Sequence, residues 1–341
     1  MSRDGRRSSA RGSLLSARGI GALVLAIVAV TALIAGVLAF GPGPNAPGGP
    51  TTVVLERGLG APGIGERLRA AHVIRSRLAF IVLAKLGGGS LKAGEYQFTG
   101  GEPLSRVVAD LKAGRVVRHF VTIPEGWTSE MAAAAVNGSP VLTGLAAAPP
   151  EGAILPETYE VRRGEDRAAV MGRMRQGRDE LLSKLWAGRR PDLPYHSPED
   201  AATLASIVEK ETGVPSERPR IAAVFVNRLK AGMRLESDPT VIYGISKGAP
   251  LGRGLTVSEL AQATPYNTYR IAGLPPTPIA NPGKAALEAA LNPPQSNEMF
   301  FVANGAGGHV FASSFAEHQA NVAKWREIER QRAATAGEAA K

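Results

Sequence analysis

The hydropathy pattern changes character twice along the chain. From Gly19 to Phe40 it is unbroken, GIGALVLAIVAVTALIAGVLAF, without a single charge. An apolar run of about 20 residues is what a helix needs to cross a bilayer. From Thr51 the pattern becomes short and mixed. TTVVLERG predicts a strand, Gly65 to Ala71 and Arg75 to Leu86 predict helices, LKAGEYQF a turn into a strand, and Ser105 to Lys112 a further helix. This α+β module ends near Val121. From VTIPEGWT onward the periodic segments lengthen. Helices are expected over Asp166 to Lys184, Pro198 to Thr212, Glu217 to Lys230 and Lys284 to Leu291. Between them runs a polar, proline-rich stretch from Tyr266 to Pro282, and the strand MFFVAN follows.

The fold class is therefore α+β behind an N-terminal transmembrane helix. Its parts are a tail at 1–18, the span at 19–40, a spacer at 41–50, the small module at 51–121, a larger mixed domain at 122–330, and an alanine- and charge-rich tail at 331–341 that should fray. The first tail carries Arg3, Arg6, Arg7, Arg11 and Arg18 against Asp4 alone. Positive charge ahead of the span and little just behind it put the N-terminus in the cytoplasm and the remainder outside, in the periplasm. A cleaved signal is the rival, because Val37-Leu38-Ala39 resembles a cleavage site; the length of the apolar run favours a single-pass anchor in the inner membrane. The spacer GPGPNAPGGP should be extended and mobile.

Net charge is +10, of which the tail supplies +4 and residues 51–341 the other +6. A mildly basic exported domain suits an anionic polymer or a membrane surface, and equally an ordinary soluble surface; the topology argues against nucleic acid. The chain has no cysteine, which excludes disulfides, lipidated cysteine and thiol chemistry. His72, His119, His196, His309 and His318 have no metal-ligand spacing. Gly58-x-Gly60-x-x-Gly63 follows a strand, but Pro62 interrupts it and no acid lies about 20 residues on, so it reads as a glycine-rich turn. Neither metal nor cofactor is expected. Carboxylate chemistry remains.

One carboxylate stands out. In TLASIVEKETG, residues 203–213, a rotation of 100° per residue places Ile207, Val208 and Glu211 within about 60° of Leu204, with Glu209 and Lys210 turned away. Ser197-Pro198-Glu199-Asp200 caps the start of this helix, and Gly213 with Pro215 ends it. Glu211 thus falls on the buried stripe and Glu209 on the solvent side. Glu211 is either a buried acid satisfied by an arginine or a catalytic acid whose pKa is raised by apolar surroundings. Around it in sequence lie Asn227, Glu236, Asp238, Thr240, Tyr243 and TPYNTYRIAGLPPTPIANPG, which contains Tyr266, Asn267 and Tyr269. Tyrosine and asparagine on stiff loops are what a sugar cleft needs, and also what an internally tied loop needs.

Longer stretches resolve part of this. LASIVEKETGVPSERPRIAAVFVNRLKAGMRLESDPTVIYG, ATPYNTYRIAGLPPTPIANPGKAALEAALNP and GGHVFASSFAEH resemble the YceG-like (MltG-type) family of membrane-anchored endolytic murein transglycosylases. LKAGEYQF and VVADLKAGRVV resemble that family's LysM-like wall-binding module, and EGAILPETYEV its EG-x-[LI]-x-P-[DE]-T-Y segment. The similarity runs in order over about residues 51–328. It implies that the second glutamate of E-K-E-T, here Glu211, is catalytic.

The resemblance further implies cleavage of the MurNAc-β-1,4-GlcNAc bond inside peptidoglycan strands, leaving a 1,6-anhydroMurNAc end and terminating strand growth, with wall synthases as partners in the same membrane. Asn227, Glu236, Asp238, Thr240, Tyr243, Tyr266, Asn267 and Tyr269 are the candidates for orienting substrate or Glu211. The family usually has glutamine at 236, tyrosine at 299 and asparagine at 319, where this chain has Glu236, Met299 and Gln319. Glu236 keeps a two-carboxylate hydrolase open as an alternative, and a non-catalytic wall-binding scaffold is a second.

Overall fold

In the computed structural model of the chain, residues 17–44, 49–86 and 88–339 are described. Residues 1–16 of the arginine-rich tail, residues 45–48 of the spacer, residue 87, and residues 340–341 lie outside them. The chain divides after Arg118 into two compact units.

The first unit begins with α1 (Ala17–Phe40). Its segment Ile20–Phe40 has mean hydropathy 2.9, is long and apolar enough to cross a membrane, and buries none of its residues in the protein. After the spacer, β1 (Thr51–Leu55) pairs antiparallel with β2 (Gly94–Phe98), Val53 facing Tyr96. Three helices, α2 (Ala61–Ala70), α3 (Arg77–Leu86) and α4 (Leu104–Ala113), complete a small α+β core around Leu55, Leu68, Phe80, Tyr96 and Leu111. The Tyr96 hydroxyl donates to the Lys92 carbonyl at 2.7 Å. Gly114, at φ +74°, ends α4 in a left-handed conformation that a side chain would resist.

The second unit opens with β3 (His119–Thr122), which pairs antiparallel with β4 (Thr158–Val161), Val121 opposite Tyr159. Residues 119–121, which the hydropathy pattern attached to the first module, thus pair inside the second unit. Between these strands lies α5 (Ser129–Gly138), and after them α6 (Arg167–Ala187), α7 (Pro198–Glu211), α8 (Arg218–Lys230), α9 (Asp238–Ser246), α10 (Val257–Ala261) and α11 (Lys284–Leu291). A hairpin of β5 (Phe300–Ala303) and β6 (His309–Ala312) precedes α12 (Phe315–Ala339). That last helix continues past Arg330, where the composition had suggested fraying.

Helix α7 is the axis of this unit. Its N-terminus carries a full capping box, Ser197 accepting from the Asp200 amide while Asp200 accepts from the Ser197 amide. Helices α6, α8, α9 and α11 all pack on it, and every residue from Ala201 to Glu209 is buried. The small side chains Ala201, Ala202, Ala205 and Ser206 let these neighbours approach from several sides.

This overturns one expectation. Glu209, assigned to the solvent side, is buried: its side chain is 4% exposed, accepts from Arg218 Nη2 at 2.8 Å, and accepts from the Gly283 amide at 3.0 Å. Helical periodicity separates a wet face from a dry one only where one face meets water, and along Ala201–Glu209 α7 has neighbours on every side.

Candidate active site

Glu211 is the last residue of α7, half-buried, at the helix end whose unpaired carbonyls form the negative pole of the macrodipole. That is a poor place for a carboxylate and a good one for a carboxylic acid. Burial pushes its pKa up to about 7, and the charge of Asp238 adds to the rise; a hydrogen bond from Ser237 and the side chains of His309 and Arg228 pull the other way.

The nearest partner is Ser237, whose Oγ donates to Glu211 Oε1. Ser237 stands at the N-cap of α9, followed by an acid and a proline, the arrangement in which a serine side chain normally accepts from the first-turn amides. Here it makes no such bond, leaving the helix uncapped and giving its hydroxyl to Glu211. Its backbone is clamped to allow this. The Ser237 amide donates to Thr268 Oγ1 at 2.9 Å, and Thr240 Oγ1 donates to the Ser237 carbonyl at 2.7 Å. The two buried threonine hydroxyls share a hydrogen bond of 2.8 Å. Sequence reasoning found Thr240 but passed over Ser237 and Thr268; a lone serine in SDPT looks like a helix start and nothing more.

Asp238 accepts from the Tyr269 hydroxyl at 2.7 Å. Burial raises the Tyr269 phenol, and its hydrogen bond to Asp238 raises it further, so it remains a donor. Tyr243 and Tyr266 form a tilted ring pair 5.0 Å apart, with the Lys247 ammonium 5.4 Å and 5.0 Å from the two rings. The Tyr243 hydroxyl donates to Glu151 Oε2 at 3.2 Å, and burial pushes the Glu151 carboxyl up. Tyr243 itself is buried in the core, so the half-buried Tyr266 ring and Lys247 are the aromatic and polar surface of the sort sugars bind.

Two candidates are used differently. Asn267 is fully buried, and its Nδ2 donates to the carbonyls of Glu259, Leu260 and Gln262 while its Oδ1 accepts from the Tyr269 amide at 3.0 Å. It shapes the loop that carries Thr268 and Tyr269. Asn227 Nδ2 donates to the carbonyls of Ser296 and Glu298 at 2.8 and 2.9 Å, tying down the approach to β5. Glu236 has φ +54° and sits 3.5 Å from Nη1 of the buried Arg228, with its side chain 47% exposed. Arg228 itself donates to the carbonyls of Met299 and Leu235 at 2.7 and 2.8 Å, joining α8 to the β5 hairpin.

A part-buried couple lies nearby. Glu217 accepts from the His309 amide at 2.7 Å, lies 2.8 Å from His309 Nδ1, and accepts from Thr212 Oγ1 at 3.1 Å. Burial opposes ionisation of Glu217, yet these bonds hold its pKa below the ordinary value. The backbone of Gly308 passes so close that a Cβ there would lie 2.5 Å from Glu217 Oε1. Glu217 thus holds the Nδ1 edge of the His309 ring and ties it to Thr212, the residue after Glu211.

The family model described as the YceG-like family matches residues 53–324. The endolytic murein transglycosylase of Bacillus subtilis (strain 168) is 27% identical over 299 residues, 77% of this chain and 81% of that protein. The protein of the same name from Streptococcus pneumoniae serotype 2 is also 27% identical, over 331 residues, but this chain spans only 58% of its length. Among solved structures, a YceG-like protein from Listeria monocytogenes is 28% identical with a TM-score of 0.49, covering 79% of this chain and 98% of that one.

Proposed function

The chain belongs to the YceG-like family, and from that premise we propose that it is an endolytic murein transglycosylase in which Glu211 is the single acid–base group. The observation that carries the proposal is the Glu211 carboxyl: pushed up to about 7 at the end of α7, and met there by a serine hydroxyl withdrawn from its capping role. A group of that pKa is populated in both protonation states near neutral pH, as a residue that must first give and then take a proton requires.

The reaction runs within one glycan strand. Protonated Glu211 donates to the glycosidic oxygen as the bond to the muramoyl C1 breaks, and the GlcNAc 4-hydroxyl leaves neutral. The resulting carboxylate takes the proton of the muramoyl 6-hydroxyl as that oxygen bonds to C1. The product is a 1,6-anhydro end, no water is consumed, and Glu211 is protonated again. Ser237 Oγ, a donor to Glu211 Oε1, stabilises the carboxylate between the two steps. Asp238, fixed by Tyr269, favours the protonated start. Tyr266 and Lys247, backed by the buried Tyr243 ring, provide a surface for neighbouring sugar rings.

The small α+β module of the first unit is the wall-binding, LysM-like part in this reading. The helix Ile20–Phe40 is a retained anchor with the enzyme on the periplasmic side, where peptidoglycan strands and the synthases that extend them are found. Asp238 supplies the one observation favouring a hydrolase, since a second carboxylate beside Glu211 could activate water. Digestion of intact sacculi by the full-length protein, followed by mass analysis of the muropeptides, tests both. Anhydro ends formed inside strands are expected; reducing ends would replace the transglycosylase with a hydrolase, and intact strands would reduce the chain to a binding protein.

A further inference from the structure

Helix α3 carries a row of apolar side chains that the protein does not cover. Leu78, Val82 and Leu86 are 69%, 56% and 78% exposed, at spacing i, i+4 and i+8. At 100° per residue they lie within about 80° of one another, with Lys85 about 20° outside that arc and Arg77 about 100° from Leu78 on the same side. The other side of the helix contributes Phe80 and Ala84 to the core of the first unit. A single exposed leucine is unremarkable in a folded protein, but a helix apolar on both faces expects a cover on both.

The surroundings of α3 indicate what that cover is. The chain leaving α1 is tied to the same unit almost at once. The Gly43 amide donates to the Gly101 carbonyl at 3.0 Å, the Gly101 amide donates to the Pro44 carbonyl at 2.9 Å, and Arg75 Nη2 donates to the Gly43 carbonyl at 3.3 Å. A Cβ at Gly43 would lie 2.2 Å from the Glu102 carbonyl oxygen, so this seam requires glycine. Val37 and Leu38 of α1 line a cavity of about 180 Å³ together with Ala79 of α3, Leu104 of α4 and the segment that leads into α3. Only about 10 Å of chain separates Phe40 from the tie at Gly43. With Ile20–Phe40 spanning a bilayer, α3 lies at headgroup height beside the helix that emerges there.

We propose that α3 is an interfacial membrane helix, with Leu78, Val82 and Leu86 inserted into the leaflet from which α1 emerges. Lys85, at the edge of the stripe, suits that position: its stem can lie along acyl chains while its charge stays among anionic headgroups, whereas Arg77 is turned away and paired with Glu66 at 3.6 Å. The first unit is then held against the membrane surface by two contacts, the span and the stripe. This inference rests on the span being retained, and it is independent of the transglycosylase reading.

The chain has no cysteine, so single cysteines can be labelled cleanly in the full-length protein. Val82→Cys and, as a solvent-facing reference on β2, Gln97→Cys would each carry an environment-sensitive fluorophore in nanodiscs of phosphatidylcholine and phosphatidylglycerol holding one chain apiece. The Val82 label should be quenched by brominated acyl chains and lose most of its accessibility to iodide, while the Gln97 label shows the reverse. A Val82 label as open to iodide as the Gln97 label, and indifferent to brominated lipid, would overturn the proposal. Shielding seen only in discs holding two chains would assign the stripe to a second copy and overturn it as well. Failure of the full-length chain to enter discs at all would remove the anchor on which it stands.

Discussion

Glu211→Gln should cost the protein its activity and increase its stability, and the gain should depend on pH. An ordinary glutamate titrates at 4.5, whereas Glu211 in the fold is pushed up to about 7. Below pH 4.5 the group is protonated in folded and unfolded chains alike and contributes nothing. Between 4.5 and 7 the unfolded chain releases the proton while the folded one retains it, so stability falls as pH rises. Above 7 the full penalty is present. At about 1.36 kcal/mol for each pH unit, the ceiling is about 3 kcal/mol. Partial exposure of the group brings the expected effect to about 1–3 kcal/mol. Glutamine keeps the shape and an acceptor for Ser237 but has no charge to desolvate. Denaturant unfolding of wild type and Glu211→Gln, followed on the transition of the second unit, should coincide near pH 4 and separate by about 1–3 kcal/mol in favour of the variant at pH 8. Release of anhydro-muropeptides should drop by about 10²- to 10⁴-fold, the usual contribution of one acid–base group. A variant that is less stable than wild type at pH 8, or a difference that ignores pH, would refute the raised pKa; full activity would refute the catalytic role.

Glu209→Gln should act in the opposite sense, destabilising by about 2 kcal/mol in the same measurement, because Arg218 loses its most buried partner and keeps only Glu125 at 3.2 Å; a change below about 0.5 kcal/mol would place Glu209 outside the core network. Glu236→Gln should leave stability within about 0.5 kcal/mol and activity within about twofold, since its one ion pair is long and half-exposed; an inactive but folded variant would make the two-carboxylate mechanism the better account. Ser237→Ala removes the hydrogen bond that lowers the Glu211 pKa, so the alkaline limb of the pH–rate profile should move to higher pH; an unmoved limb would mean the contact is incidental to the chemistry. Deleting residues 51–118 should weaken pull-down on sacculi if the first unit binds the wall, and unchanged binding would make that unit a spacer.

The elements with clean local signals were legible in the sequence. Helix α7 was bracketed within a residue because Ser197, Pro198 and Pro215 punctuate it chemically, and β1, α4, α8 and α11 follow their apolar periods. Other elements left weaker traces. α5 is the run SEMAAAAVNG, whose alanines hardly distinguish faces; α9 and α10 are short and start inside polar stretches that read as loop. β3 and β4 are four residues each, and their pairing joins positions about forty residues apart, which no local pattern reports. The site divides in the same way. Periodicity placed Glu211 on the inner stripe of α7, but Ser237 meets it from the start of α9 and His309 acts on it by charge, with Thr268 and Glu217 holding those two, and none of these carried a signal of its own.

Glu209 and Glu211 show why the residue type alone could not assign roles. They are two positions apart on one helix, and their surroundings differ in kind. Glu209 meets a guanidinium at 2.8 Å and a backbone amide at 3.0 Å, partners that reward a negative charge. Glu211 meets a hydroxyl and lies near the carboxylate of Asp238 at the negative pole of α7, a setting that rewards a proton. The first arrangement binds α7 to the start of α8 and to the turn before α11, fixing the helix along its length. The second withholds such a partner at the helix end and uses Ser237 in a way that leaves α9 uncapped. One carboxyl is thus committed to an ion pair inside the core, and the other is left at the helix end with a hydroxyl as its nearest partner, within less than one turn of helix.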